Sequence, residues 1–396
     1  MLEFFLTFFV QPFRKIIKQS VVAIIPPASY GSVGDDAMVR VLLNNIDKQG
    51  LSPIILGGKE AKTWSIIGTV KVRVIDKTKP LVTLFNVVVL LLKSKRLYII
   101  GADIMDGHYD SNSVYKRLKL ANVFSMLGGE VICTGFSFND TPDKEVCKKL
   151  DELSNVRLYL RDLISYERFK RHVNYVPELS ADLAFLTVAS VHTKNSEAIA
   201  VWVSRRKSQN DVVIIVNINW LPFRHSEIEV DRLIERYTAI CLGLHRKLNG
   251  KVSFLMVPND FRDPGGLGDK RLARLLYDAL VRDLKDKCML VGSDFTAEEL
   301  KLFTAGCDFV ISGRMHLAII TATNSIPSFS VSYQQKFAGF YKHIGLNEAD
   351  LMIEPDELFN YNIVGKILVN VVNRKKLQQK ISDNLPLVEN MARKNL

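Results

Sequence analysis

The sequence predicts an α/β protein built from two doubly wound, Rossmann-like domains facing a cleft. Three observations lead there. Short apolar runs recur along the chain, each closed by glycine, proline or aspartate, as in strands of a buried parallel sheet. Stretches of helical apolar periodicity alternate with those runs. The length, 396 residues, exceeds the ~250–300 at which a single core stops growing.

The first strand is Val21–Ile25, closed by Pro26-Pro27 and the turn Tyr30-Gly31-Ser32-Val33-Gly34. A helix then opens at Asp36, with Met38, Val41, Leu42 and Ile46 on its apolar face. Further strands are expected at Pro53–Leu56, Val70–Ile75, Leu97–Ile100, Val131–Thr134 and Val156–Leu160. Val70–Ile75 alternates apolar with basic residues, which suits a sheet edge. Helical stretches include Asp143–Asn155 and Ser165–His172. Polar residues and the basic cluster Arg205-Arg206-Lys207 suggest a connection at 191–210. A second set follows, with strands at Val212–Asn217, Val252–Val257, Met289–Gly292, Asp308–Ile311 and Ser328–Val331. Its helices are expected near Glu227–Leu248, Lys270–Leu284, Ala297–Phe303 and onward from Met315. The division is therefore an N-terminal segment, 1–20, a first domain, 21–190, a second domain, 211–375, and a C-terminal tail, 376–396.

Charge and cysteine usage narrow the class. Lys and Arg number 53 against 42 Asp and Glu, a net charge of +11 that favours anionic partners. The basic residues are dispersed, and no RNP, zinc-finger or helix-turn-helix signature appears, so nucleic acid is not expected as a partner. Five scattered cysteines without a CxxC pair argue against zinc or disulfides and fit a reducing cytoplasm. The run Leu2–Val10 lacks a basic n-region and a cleavage site, and is too short to span a bilayer. Phe4, Phe5, Phe8, Phe9 and Phe13 beside Arg14, Lys15 and Lys18 read either as an amphipathic helix on an anionic membrane or as a helix packed on the protein itself. A second apolar run, Leu81–Leu92, is also too short to span and reads as a buried helix.

Five segments at strand ends could carry chemistry. Gly31–Asp36 opens a helix with two glycines, Gly31 and Gly34, that permit close backbone approach, while Asp35 or Asp36 reads equally well as a cap. Gly101-Ala102-Asp103-Ile104-Met105-Asp106-Gly107 places Asp106 to accept a proton or hold a hydroxyl; plain turn chemistry is the alternative. Arg161 ends a strand before Asp162 and Ser165, both capping residue types. Ser312-Gly313-Arg314-Met315-His316 sets a cation and an imidazole at a helix start, where the dipole disfavours cations unless an anion faces them. There Arg314 would clamp a phosphate or carboxylate and His316 would act as a general acid. Ser332-Tyr333-Gln334-Gln335-Lys336 follows the next strand, with Tyr333 and Lys336 directed to the same place, although Lys336 alone would read as a surface residue.

Taken in order, these segments resemble the polysaccharide pyruvyl transferases. Gly31–Asp36 is similar to that family's GxxGD(E/D) opening, and Gly101–Asp106 to its GGGxxxD turn. Arg161–Ser165 resembles its RDxxS element, with Ser180-Ala181-Asp182 after it. Thr296–Leu300 with Ser312–His316 looks like its ExL and SxRxH core, and Ser332–Phe340 like its SYxxKxxGF stretch. Ala102 and Asp103 depart from the glycine turn, and Asn259-Asp260 stands where a histidine is frequent. The resemblance implies a GT-B-like fold and transfer of a pyruvyl unit from phosphoenolpyruvate, a co-substrate, to a sugar or lipid-linked oligosaccharide, with no metal or organic cofactor. Under it His316, Arg314 and Asp106 are catalytic, and Arg161, Lys336, Tyr333, Gly31, Gly34, Asp35 and Ser312 contact substrate. The competing readings are a nucleotide-sugar glycosyltransferase of the same fold and a non-catalytic protein of glycan biosynthesis.

Overall fold

The computed structural model describes residues 19–75, 87–90, 92–103, 105–108, 110–190, 193–224, 226–332 and 336–396, without the side chains of Pro264 and Lys336. The N-terminal phenylalanine-rich segment, most of the second apolar run and Tyr333 lie outside them. The chain divides into two compact units: Met1–Tyr30 with Met38–Leu183 and Asn390–Leu396, and Gly31–Ala37 with Ala184–Glu389.

The first unit holds a seven-stranded parallel sheet: β1 (Val21–Ile25), β2 (Ser52–Gly57), β3 (Lys71–Val74), β4 (Ser94–Ile99), β5 (Glu130–Phe136), β6 (Val156–Leu160) and β7 (Glu178–Leu179). Their order is β3-β2-β1-β4-β5-β6-β7, a doubly wound arrangement that reverses between β1 and β4. The basic, alternating strand β3 takes the edge, as its pattern predicts. Helices α1 (Val33–Lys48), α2 (Ser111–Met126), α3 (Lys144–Asp151) and α4 (Leu163–His172) supply its crossovers. Aspartates start three of them: Asp110 accepts from Ser113 N, Asp143 from Glu145 N and Val146 N, and Asp162 from Ser165 N. The core on one face centres on Phe136, Phe138 and Phe169, with edge-to-face rings 5.0 and 6.1 Å apart. The C-terminal residues return to this unit. Gly135 N donates to Asn395 Oδ1 at 2.7 Å, Asn395 Nδ2 donates to Ala181 O at 3.0 Å, and the Tyr98 hydroxyl donates to Leu396 O.

The second unit repeats the plan. Strands β8 (Val212–Asn217), β9 (Val252–Met256), β10 (Cys288–Leu290), β11 (Phe309–Ser312), β12 (Ser328–Val331) and β13 (Met352–Ile353) form a parallel sheet ordered β10-β9-β8-β11-β12-β13. Around it lie α5 (Lys194–Ser208), α6 (Val230–Lys247), α7 (Asp269–Leu284), α8 (Ala297–Thr304), α9 (Met315–Ala322), α10 (Lys336–His343), α11 (Glu348–Leu351) and α12 (Ile363–Val372). Residues 194–208, read as connection in the sequence, are helix α5 and group with this unit. Their basic cluster has a structural job. Lys207 pairs with Asp308 at 2.6 Å, and buried Arg206 pairs with Asp286 at 2.9 Å. The two-residue strands β7 and β13 carry too little pattern to be read in advance.

All five cysteines are buried and unpaired. Among the described residues, no helix is long and apolar enough to cross a membrane.

Asn395 is fully buried and pairs two backbone groups that would otherwise be orphaned. Asn395→Ala is expected to lower stability by about 1–3 kcal/mol, read as a shift in denaturant midpoint at unchanged slope.

Candidate active site

In an open parallel sheet, ligands bind beyond the carboxyl ends of strands where the order reverses. In the second unit that point lies between β8, ending at Asn217, and β11, ending at Ser312. The turn after β11 is braced from within. Ser312 Oγ accepts the Arg314 N–H at 2.9 Å and bonds Asn217 Oδ1 at 3.2 Å. Asn219 Nδ2 donates to Gly313 O at 2.9 Å. Arg314 is consequently held in extended conformation as the residue before α9, and His316 sits in that helix's first turn. Arg314 and His316 therefore do not share the regular helical offset that would make two such residues diverge.

The Arg314 guanidinium is gripped by Asp269, the first residue of α7, with Nη2 to Oδ1 at 2.6 Å and Nε to Oδ2 at 3.2 Å. Asp269 is 1% exposed and also accepts from Asn217 Nδ2 and Asn259 N, both at 3.0 Å. A second carboxylate, Asp260, lies 3.7 Å from Arg314 and is bound by Arg262 through Nε at 2.8 Å and Nη2 at 2.7 Å. Burial alone would raise the Asp260 carboxyl, but the Arg262 hydrogen bond and the Arg314 and Arg262 charges outweigh it and hold it below its ordinary value.

The glycine turn before α1 docks onto the loop after β9. Val33 N donates to Asn259 O at 3.0 Å, and Phe261 N donates to Gly31 O at 2.7 Å. The two glycines do allow a close approach, but to the protein's own side chains. A Cβ on Gly31, whose φ is +132°, would lie 2.7 Å from Arg262 Cγ. A Cβ on Gly34 would lie 2.1 Å from His316 Cγ. The imidazole therefore rests on bare backbone. Asp35 stands 3.7 Å from Arg262, while Asp36 accepts from Ala297 N at 3.0 Å, at the start of α8. Asp36 thus serves a helix other than its own. Glu299, in the ExL segment, forms a capping box with Thr296 on that same helix.

The remaining sequence candidates have the following surroundings. Ser312 is fully buried, with its hydroxyl engaged in the turn. Arg161 belongs to the first unit, 3% exposed, with Asp103 and Asp182 as partners. Burial would lower its pKa, but Asp103, Asp182 and Asp162 overcome this, so its charge is already matched. Asp106, in the same unit, is fully buried and accepts from His108 N, Asn139 N and Asn139 Nδ2. Burial raises its pKa against those hydrogen bonds. Its hydrogen bonds brace the turn. At Arg314 and Arg262, two guanidinium groups meet three carboxylates, Asp35, Asp260 and Asp269. Asp269 and Arg262 were not identifiable as site residues from sequence, since an acid opening a helix reads as a dipole match. No group of three or more metal-ligating side chains occurs among the described residues.

A family model described as polysaccharide pyruvyl transferase matches residues 33–335. The chain belongs to the polysaccharide pyruvyl transferase family. Its matched region contains Val33–Asp36 of the helix start and the Ser312–His316 turn. The amylovoran biosynthesis protein AmsJ of Erwinia amylovora is 30% identical over 114 residues, which are 29% of this chain and 27% of that protein. Solved structures share the two-domain Rossmann-like fold of GT-B type. HepE of Anabaena, solved with UDP and glucose, aligns with a TM-score of 0.53 at 11% identity over 94% of this chain and 95% of its own. A UDP-N-acetylglucosamine 2-epimerase, so described, of Listeria monocytogenes gives 0.56 at 10%, covering 93% and 92%. A glycosyltransferase of Rickettsia africae gives 0.54 at 12%, covering 96% and 97%. At such identities the likeness is one of fold.

In this pyruvyl transferase family member, Gly34→Ala is expected to drive His316 off its seat. The ring's NMR resonances should move, with overpacking costing about 1–3 kcal/mol. Asp260 carries a second expectation. Because its folded pKa is depressed, its stabilisation is complete above the unfolded value of about 3.9 and is lost as pH falls through the lower folded value. The stability gap between wild type and Asp260→Asn should therefore be widest near neutrality and close in acid, measured by denaturation across pH.

Proposed function

We propose that this chain transfers a pyruvyl unit from phosphoenolpyruvate to two hydroxyls of one sugar in a cell-surface glycan, forming a ketal. The observation that carries this is the seating of His316 beside an extended Arg314 at the switch point of the second sheet. Membership in the family supports the reaction class.

His316 protonates the methylene carbon of phosphoenolpyruvate, turning it into a methyl group and leaving an oxocarbenium-like centre at the next carbon. One sugar hydroxyl adds there and gives up its proton. Phosphate then leaves, and the second hydroxyl closes the ketal with loss of its own proton. One of the two released protons restores His316 and the other leaves with hydrogen phosphate, so atoms and charge balance. Arg314 holds a donor oxyanion beside Asp269 and Asp260; its side chain keeps 19% exposure. Asp269 fixes the direction of that fork and so acts as a positioning residue. Lys336, the first residue of α10, and Tyr333 remain proposed donor contacts. The acceptor is a sugar or lipid-linked oligosaccharide, and no metal or organic cofactor is part of the scheme.

The test is incubation of the full chain with phosphoenolpyruvate and a glycan acceptor, following phosphate release and the mass of the product. His316→Ala should cut turnover by about 10²–10⁴-fold while leaving phosphoenolpyruvate binding largely intact. Arg314→Lys should weaken donor binding, since a point charge replaces a planar fork. Release of nucleotide from an activated sugar, with none of phosphate from phosphoenolpyruvate, would overturn the reading in favour of glycosyl transfer.

A further inference from the structure

A second feature of the second unit stands apart from the His316 site. Along the edge strand β10, a cavity of about 430 Å³ is walled by α5 and α7, with Trp202, Arg205, Arg206, Arg274 and Tyr277 lining it over Leu290. That volume lies in the range of small-ligand sites. Each wall repeats one device. Trp202 and Arg205 are three residues apart on α5, as are Arg274 and Tyr277 on α7, so each helix presents a ring and a guanidinium on one face. The Arg274 guanidinium stands over the Tyr277 ring, 5.8 Å from its centroid.

Two of the three guanidinium groups, those of Arg205 and Arg274, lack a carboxylate partner among the described residues. Arg206, 1% exposed, pairs with Asp286 at 2.9 Å and reaches Asp211 at 3.8 Å, yet its Nε has no hydrogen-bond partner. A buried donor left unmatched is costly, and it asks for an acceptor. Asp286 itself lines the cavity with its side chain 67% exposed, so its carboxylate offsets one of the three guanidinium charges, and its backbone oxygen accepts from the Trp202 indole at 3.3 Å.

We propose that this cavity is a second glycan-binding site, taking a sugar ring that carries a carboxylate. The rings supply flat apolar faces for the sugar and the guanidinium forks supply bidentate partners for the carboxylate. The inference rests on the pyruvyl-transfer reading, under which the product glycan carries one carboxylate per ketal. Holding an already modified unit there would keep the chain close to the His316 site and raise the effective concentration of the next acceptor.

The test uses the full chain and two probes: an oligosaccharide bearing pyruvate ketals, and the same oligosaccharide after mild acid has removed them. Titration calorimetry should show the ketal-bearing form binding about tenfold more tightly or better. Arg205→Gln with Arg274→Gln, both at exposed positions, should erase that preference while leaving turnover on a monosaccharide acceptor unchanged. Equal binding of the two probes, a preference that survives in the double variant, or displacement by inorganic phosphate at equal concentration would overturn the proposal. Because binding is read with a supplied ligand, a protein that prefers the ketal yet transfers nothing from phosphoenolpyruvate would refute the catalytic reading alone.

Discussion

The carboxylate of Asp269 holds the candidate site together. It is buried, and its two oxygens receive the Arg314 fork, the Asn217 amide and the Asn259 backbone N–H. Those partners come from the ends of three strands, so one side chain registers β8, β9 and β11 against the start of α7. A buried ion pair adds little net stability when complete, but removal of one partner costs about 3–5 kcal/mol because the other is left charged and dry. The site is thus stiff by electrostatic necessity. Any donor must compete with, or complement, a guanidinium whose orientation is already decided.

Glycine completes the arrangement from the other side. The Gly31–Gly34 turn is locked to the loop after β9 by two backbone hydrogen bonds, and its lack of side chains makes room for Arg262 and His316. The imidazole lies against the backbone at Gly34, and that contact leaves no room for an added atom there.

Much of this was legible in advance, for physical reasons. Buried parallel strands must be apolar on both faces, and so Val21–Ile25, Val156–Leu160 and Val212–Asn217 announce themselves. The edge position of β3 follows from its alternation. The Arg314-Met315-His316 turn was readable because cations at a helix start are out of place. The partners were not. Arg314 finds Asp269 across 45 residues, and Gly34 finds His316 across a far longer separation, through contacts no local pattern encodes. For Ser312, Arg161 and Asp106 the sequence leaves two uses open, since their residue types suit chemistry and bracing equally; the structure adds their burial and local partners.

Both units are discontinuous in the chain, and this bears on how the protein is made. Residues 31–37 are grouped with a unit whose other members begin at Ala184, and residues 390–396 return to the unit that begins the chain. During synthesis the glycine turn emerges early and must wait for Asn259 and His316 before its contacts exist. The first sheet likewise gains Asn395 only at the end. Neither unit can close in isolation as its strands appear, although domains of many proteins fold one after another as they are made. A cut at the apparent domain boundary would separate His316 from the backbone it rests on. The seat of His316 is therefore a late product of the whole chain.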